Sequence, residues 1–336
     1  MSRPLTIVGG GLCGLSLGLA LRKRNLPVTV HEAGSYPRHR VCGEFISGVR
    51  REVLEALGMA EVMDGARSQR GTVWYHGTRK VLTAKLPERA WGISRWVLDQ
   101  ALREKFQEAG GVLIERSRVG SENPVGQVWC AGRVPVKGPW VGLKCHLRGL
   151  ELEEDLEVHL GGNGYVGLAQ VEAGRVNVCG LFRIDRALSG SDLLGAYLEA
   201  GGLASVARRI RDAEVDESSR SAMAGFRLGP QKRQPNRLAL GDAWGMIPPF
   251  TGNGMSMAFE SAELAVEPLV QYAEGACDWD TACRRVGWRL RKKFSLRLFG
   301  ACLLHPGLTL PGGQAFLSAV SRSGCLPFSL CFRLLR

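Results

Sequence analysis

The chain has 336 residues, enough for one large α/β domain and a smaller companion around a substantial core. Hydrophobic residues make up 45% and charged residues 23%, a balance that excludes an intrinsically disordered chain. The net charge of +12 sits at one end: Thr281 to Arg336 holds ten Lys or Arg and no Asp or Glu, leaving 34 basic against 32 acidic side chains before it.

The opening residues run straight into an apolar strand, with none of the charged, apolar and small-residue succession of a signal peptide. No stretch approaches the roughly 18 uninterrupted apolar residues of a transmembrane helix. A cytoplasmic location is therefore expected, with the ten cysteines as reduced thiols. None forms a C-x-x-C pair, and the six histidines at 31, 39, 76, 146, 159 and 305 lack ligand spacing, so no metal is expected.

Leu5 to Val8 reads as a short buried strand. It meets Gly9-Gly10-Gly11-Leu12-Cys13-Gly14 and then a helical pattern to Lys23-Arg24. In G-x-G-x-x-G the glycines permit a tight turn, close backbone approach to a pyrophosphate, and close packing of helix on strand. The helix N-terminus then presents free N–H groups and a positive dipole end to the phosphates. A second strand, Val28 to His31, ends in Glu32, at the distance where an acid meets the adenosine ribose. An acid there also argues against the 2′-phosphate of NADP at this site.

Gln127 to Cys130 reads as a further strand of the same sheet, followed by Ala131-Gly132-Arg133. From 140 to 182 the pattern changes. Val141, Leu143, Cys145 and Leu147 alternate with Gly142, Lys144, His146 and Arg148, which predicts one apolar and one polar sheet face. Further runs at Leu156 to Leu160, Gly164 to Gln170 and Val176 to Phe182 are divided by glycine-bearing turns, the pattern of an antiparallel sheet. His146 and His159, lone strand histidines, read as exposed or hydrogen-bonded rather than catalytic.

Arg237 to Ala243 is a buried strand ending in Gly241-Asp242, and Pro249 to Met255 opens a long helix through Gly252-Asn253-Gly254. A carboxylate at a strand's end suits the hydroxyls of a ribityl chain. The second helix start suits the flavin edge that gains negative charge on reduction. A plain nicotinamide dehydrogenase has no use for this second element, so FAD is the expected cofactor. Trp244 falls near that edge, where stacking and plain packing both fit. Between Arg284 and Arg297, seven of fourteen residues are basic and alternate with apolar ones. Such a helix either packs over the cofactor domain or lies on an anionic membrane surface. No nucleic-acid-binding signature accompanies it.

Gly9 to Gly14 with Glu32, Arg40-Val41-Cys42-Gly43-Glu44, Arg95-Trp96-Val97-Leu98-Asp99, and Gly241-Asp242 with Pro249 to Met255 follow one another in a familiar order. Over roughly residues 1 to 300 the chain resembles the FAD-dependent oxidoreductases related to group A flavoprotein monooxygenases and geranylgeranyl reductases. The resemblance implies an α/β fold: a Rossmann-type FAD-binding domain of the glutathione-reductase kind (1–70, 92–135 and 235–280), an antiparallel-sheet substrate domain (71–91 and 136–234), and a basic helical tail (281–336). It implies noncovalent FAD held by Gly9, Gly11, Leu12, Cys13, Gly14, Glu32, Ala33, Arg40, Cys42, Gly43, Arg95, Ala131, Gly241, Asp242, Pro249, Gly252, Asn253, Gly254 and Met255. Tyr165, Phe182, Trp74 and Tyr75 are candidates for the pocket wall or for plain packing.

Three activities fit. A hydroxylase would use the reduced flavin to activate oxygen against an aromatic, polyketide or polyprenyl-like substrate. A reductase would pass hydride to a double bond, with Glu44 or Cys42 giving the proton. A non-catalytic protein would only bind FAD or a lipid. Glu44 reads either as a general acid or as a loop carboxylate paired with Arg38 or Arg40, and Cys42 as a thiol facing the flavin or simply buried. NAD(P)H is a candidate electron donor. Ala131 stands where the hydroxylases carry an aspartate tied to pyridine-nucleotide use, and the 115–127 segment is short for the family. Both weaken that assignment.

Overall fold

The computed structural model describes every residue except 1, 121, 134, 233, 235, 324–327 and 336. Of the tail 281–336, residues 324–327 and 336 thus lie outside the described residues. In chain order the elements are β1 (Leu5–Val8), α1 (Leu12–Arg22), β2 (Val28–His31), β3 (Phe45–Ile46), α2 (Arg51–Ala56), β4 (Arg67–His76), β5 (Arg79–Gly92), α3 (Arg95–Glu108), β6 (Val112–Ile114) and β7 (Gln127–Trp129). They continue with β8 (Trp140–Arg148), β9 (Leu156–Gly161), β10 (Gly164–Gln170), β11 (Val176–Arg183), α4 (Leu193–Ala200), α5 (Ala204–Asp212) and β12 (Glu214–Ala224). The chain closes with β13 (Gly229–Pro230), β14 (Leu238–Ala239), β15 (Gly245–Met246), α6 (Gly254–Ala273), α7 (Trp279–Thr309), α8 (Pro311–Arg322) and α9 (Phe328–Leu334).

Two sheets organise the molecule. The first is parallel, in the order β14-β7-β1-β2-β6. Leu5, Ile7, Val28, Val30 and Val128 are buried in it, and the apolar α1, with Leu12 to Leu21 all buried, lies between this sheet and α6. The glycines set how closely these layers meet. Gly9 has φ of +105°, and a Cβ there would sit 2.4 Å from the Cys130 carbonyl oxygen. A Cβ on Gly14 would sit 1.9 Å from the Gly9 oxygen, so the third glycine of the motif seats helix against strand.

The second sheet runs β12-β8-β11-β10-β9-β4-β5-β3 and is antiparallel except for the β4–β9 pair. Val141, Leu143, Cys145 and Leu147 pack against Leu194, Leu198, Val206 and Ile210 of α4 and α5. The opposite face of β8 departs from expectation. Lys144 and His146 are buried rather than solvated, because the loop preceding β3 folds against them; a Cβ on Gly142 would meet Val41 at 2.7 Å.

The tail is helical, and it packs. Val286, Leu290, Phe294, Leu298 and Ala301 of α7 join the core of the parallel-sheet unit. Glu260 of α6 receives Arg297 at 2.6 Å and Lys293 at 3.1 Å. Trp244 packs against Phe294, with ring centroids 5.9 Å apart.

The glycine spacing generates a stability prediction. Gly14→Ala forces a backbone shift at the β1–α1 joint and is expected to destabilise the protein by about 3 kcal/mol or more in urea unfolding. Gly65→Ala, whose Cβ would meet nothing within 4 Å, should stay within about 0.5 kcal/mol of the parent. Equal stability of the two variants would remove the packing argument.

Candidate functional site

A cavity of about 640 Å³ lies at the carboxyl ends of the parallel strands, roofed by β10 and β11. Of the residues expected from the sequence, Gly9, Gly11, Leu12, Cys13, Glu32, Ala33, Arg40, Cys42, Gly43, Glu44, Arg95, Ala131, Asp242, Pro249, Gly252, Gly254 and Met255 all line it. Gly14, Gly241 and Asn253 stand behind the wall as supports. Gly14 abuts Gly9, Gly241 makes a left-handed turn with φ of +59°, and Asn253 Nδ2 donates to the Leu335 carbonyl at 2.5 Å.

Two helices begin on this cavity without a side-chain cap. The cap residues are Gly11 for α1 and Asn253 for α6. An uncapped α-helix leaves its first N–H groups without intrahelical partners and its positive dipole end unanswered. Both starts open into space: a Cβ on Gly11 would meet only Arg95, at 4.0 Å, and one on Gly254 nothing within 4 Å.

Cationic side chains gather beside them. Glu32 accepts from the Gly10 and Gly34 amides at 2.9 and 2.8 Å and from Arg38 at 2.6 Å. Burial pushes its carboxyl up, but these hydrogen bonds and the charges of Arg38 and Arg40 outweigh it and hold it below the usual range. Arg95 makes a bidentate pair with the fully buried Asp99, both contacts at 2.8 Å, and Arg40 Nε reaches the same carboxylate at 3.1 Å. Arg40 Nη2 is left buried with no hydrogen-bond partner among the described residues. A buried, unsatisfied guanidinium nitrogen costs free energy unless an anion meets it. Asp242 makes no hydrogen bond through its carboxylate among the described residues. Burial raises its carboxyl, only partly opposed by Arg95 and Arg40.

Glu44 is where the structure corrects the sequence reading. It pairs with neither Arg38 nor Arg40, which answer Glu32 and Asp99. It accepts instead from Lys144 Nζ at 3.0 Å, His146 Nε2 at 2.5 Å and the Arg95 amide at 2.9 Å, with no side-chain exposure. Burial raises its carboxyl, yet the His146 hydrogen bond and the Lys144 charge prevail and keep it ionised well into acid. His146 is thus hydrogen-bonded, as expected for a strand histidine. Burial pushes the Cys42 thiol up, so it stays protonated at neutral pH. Two of the scattered histidines converge here. His39, His146 and Asp216 place ligand atoms within 4.8 Å of one another, because His146 and Asp216 are cross-strand partners on β8 and β12. Lys144 stands 3.3 Å from His39 Nδ1 and supplies the cation of this cluster.

The roof is small and apolar. Gly167, Ala169, Cys179 and Gly180 make room, and Tyr165, Met223 and Phe226 close the sides. Of the four aromatic candidates only Tyr165 faces the cavity. Tyr165 opposes Leu181 and Gly164 opposes Phe182 across β10–β11, so the alternation sends Phe182 to the far face, against Tyr197. Trp74 donates to Thr72 within the sheet, and Tyr75 stacks on His159 at 4.7 Å beside a separate shallow pocket. Sequence reasoning missed His305. It lies between Trp140, Tyr165 and Phe250, and its place in the tail gave no signal of that. It also missed Tyr36, which donates to the Gly10 carbonyl.

Neither a protein-family model nor a curated protein matches the sequence. Solved structures do. PqsL of Pseudomonas aeruginosa in complex with 2-aminobenzoylacetate superposes with a TM-score of 0.72 at 17% identity, over 94% of this chain and 99% of that one. The p-nitrophenol 4-monooxygenase PnpA of Pseudomonas putida DLL-E4 gives 0.77 at 14% identity, over 99% and 97%. The myxobacterial chondrochloren halogenase CndH, described as a variant of FAD-dependent halogenases, gives 0.74 at 14%, over 98% and 92%.

Two measurable consequences follow from the buried charges. Glu44→Gln leaves Lys144 facing a neutral group and should lower stability by about 3–5 kcal/mol; a loss below about 1 kcal/mol would show the cluster to be solvated. Burial holds His39 and His305 down to about 4 from an ordinary value near 6.5. Between those values the unfolded chain binds more protons, so this stability is complete above pH 6.5 and is lost as pH falls toward 4. Urea midpoints across that window should rise with pH in the parent and flatten in the His39→Gln, His305→Gln double variant.

With the geometry and the superpositions together, the chain is an α/β protein with the fold of FAD-dependent monooxygenases and halogenases: a parallel Rossmann-type sheet, an antiparallel sheet beside it, and C-terminal helices.

Proposed function

We propose that the chain is an FAD-dependent oxidoreductase of the monooxygenase type, acting on a small apolar substrate such as an aromatic ring. One observation carries the reading. Two uncapped helix starts and an unsatisfied Arg40 nitrogen share a single cavity whose roof is neutral and apolar. The residues present suit FAD. Gly9, Gly11, Leu12, Cys13, Glu32, Ala33 and Arg40 would hold the adenosine and pyrophosphate. Cys42, Gly43, Arg95, Ala131, Asp242, Pro249, Gly252, Gly254 and Met255 would hold the remainder, with Gly14, Gly241 and Asn253 behind them. The two sheets would then correspond to the cofactor and substrate domains drawn above, except that β3 and the first residues of β4, within the 1–70 piece, belong to the antiparallel sheet.

When bound, the flavin supplies the redox and oxygen-activating chemistry. The chain's own part is to bind, orient and keep water out. Tyr165 is buried and its hydroxyl accepts from the Phe250 amide at 3.2 Å, which fixes the wall without adding a charge. Small side chains at Gly167, Ala169 and Gly180 leave room for a flat ring. A double-bond reductase needs a proton donor on this cavity. Glu44 is ionised with both oxygens engaged, and the buried Cys42 thiol releases its proton reluctantly, so a hydroxylase fits better than a reductase. The relatives point the same way: PqsL was solved with 2-aminobenzoylacetate, and PnpA is a p-nitrophenol monooxygenase. NAD(P)H is the electron donor in this reading, although Ala131 replaces the aspartate expected to assist it.

Titration of the purified chain with FAD tests the site. Gly254→Leu projects a side chain into open cavity and should weaken FAD binding by about 100-fold, roughly 2.7 kcal/mol, with unfolding of the FAD-free protein unchanged. Arg40→Met should weaken it by about tenfold or more. Anaerobic mixing with NADH or NADPH should then bleach the flavin, faster with an aromatic substrate, and oxygen uptake should follow turnover. A parent protein that refuses FAD would end the proposal. Bleaching by substrate-dependent steps without oxygen uptake would move the assignment to a reductase, and no bleaching with any donor would move it to a binding protein.

A further inference from the structure

An α-helix turns by about 100° per residue, so Trp288, Lys292, Leu296, Phe299 and Leu303 fall in a stripe about 80° wide on α7. The buried residues Val286, Leu290, Phe294, Leu298 and Ala301 occupy the opposite face, against α6. The stripe is exposed: Leu296 by 73%, Phe299 by 66%, Leu303 by 67% and Trp288 by 56%. α7 is therefore apolar on two sides, of which the fold covers one. Beyond it Leu310 and Phe316 are exposed too.

From Arg284 onward every charged side chain of α7 is a cation. Arg284, Arg285, Arg291 and Lys292 are exposed and enter no ion pair among the described residues, and Lys292 lies over the Trp288 ring at 5.0 Å. Arg297 and Lys293, which do pair, reach Glu260 on the covered side. Lone exposed apolar residues are ordinary, but a continuous stripe edged by cations that no carboxylate neutralises marks a partner. A protein surface able to meet it would need an apolar patch ringed by carboxylates. An anionic bilayer meets it without special shape, since leucine and phenylalanine enter the acyl boundary while arginine and lysine stay with the headgroups. No helix among the described residues is long and apolar enough to cross a membrane, which leaves attachment in the plane of the surface.

We propose that the exposed stripe of α7 docks the protein on an anionic lipid surface. Its position gives this a use. His305, the residue after Leu304, packs against Tyr165 and Phe250 of the cavity wall. His305 lies on the buried side of α7, so docking through the stripe holds that wall one helix diameter, about 10 Å, from the bilayer, where an apolar substrate is concentrated. The surface assignment itself stands on the tail alone and does not need the flavin.

The experiment is co-sedimentation of the full chain with vesicles of phosphatidylcholine, alone or mixed with phosphatidylglycerol. The parent should bind the mixed vesicles at least about tenfold better than the neutral ones, and high salt should remove most of the difference. Phe299→Asp with Leu303→Asp should abolish binding to the mixed vesicles, with flavin content and thermal unfolding unchanged because both positions are exposed. Arg291→Gln with Lys292→Gln should lose chiefly the anionic preference. Failure of the parent to bind, or equal binding by the aspartate variant, overturns the proposal. So does a parent dimer that the aspartate substitutions split without any vesicle binding, since a second copy would then cover the stripe. A colourless protein that still sediments with anionic vesicles sustains this inference while removing the flavin one.

Discussion

A carboxylate with no access to water must be answered by charge, and Glu44 is answered from two directions at once. Lys144 and His146 come from β8 and the Arg95 amide from the start of α3. Removing one partner from such a group leaves an uncompensated ion, so the loop before β3, the antiparallel sheet and α3 keep one relative arrangement. The loop is held at further points. Asn177 of β11 donates to the Cys42 carbonyl at 3.0 Å, and Glu172 at the β10–β11 turn accepts from the Ser94 amide and hydroxyl at the cap of α3. Glu44 itself sits in the left-handed region at φ of 52°, a conformation kept only when its surroundings fix it. The result is a cavity wall whose backbone at Cys42 and Gly43 is set before any ligand arrives.

The same economy of partners shapes the electrostatics. Asp99 pairs with Arg95 and Arg40 inside the protein, and Glu32 pairs with Arg38. These carboxylates leave Arg40 Nη2 without a hydrogen bond among the described residues, with Glu32 Oε2 at 3.7 Å its ion-pair partner. Together with two helix dipoles this gives the floor a fixed preference for negative charge. The roof has none. Burial keeps Tyr165 and Cys179 protonated, and burial with the Arg183 charge keeps His305 deprotonated, so every titratable group there is neutral near pH 7. A cavity divided this way suits a polyanionic ligand on one side and an uncharged one on the other, which is what the proposed function requires.

How much of this could be read in advance depended on the range of the interactions. The glycines at 9, 11 and 14, the acid at 32 and the Gly-Asp and Gly-Asn-Gly segments were legible, because each serves a local backbone geometry within one strand-turn-helix step. The partners of Glu44 were not. Arg38 and Arg40 are near in sequence, whereas Lys144 and His146 lie about a hundred residues away and meet it only once the sheet closes over the loop. The alternation along β8 was correct as a strand. It could not reveal that the polar face would be buried against another segment of the chain. Among the aromatic residues, Tyr165 and Phe182 looked equivalent until the β10–β11 register put them on opposite faces.

The tail shows the limit from the other side. Its helical period and its charge were plain, and the buried row from Val286 to Ala301 explains why it packs on α6. Apolar residues on both faces blur the amphipathic signal, so no periodicity could say which row the fold would take. Only the observation that Glu260 draws Arg297 and Lys293 to one side fixes the rotation of α7. That rotation leaves Trp288, Leu296, Phe299 and Leu303 outward. A single buried glutamate on α6 thus decides which apolar row becomes core and which becomes surface, and it does so at the helix whose far end backs the cavity wall, where His305 packs on Tyr165 and Phe250.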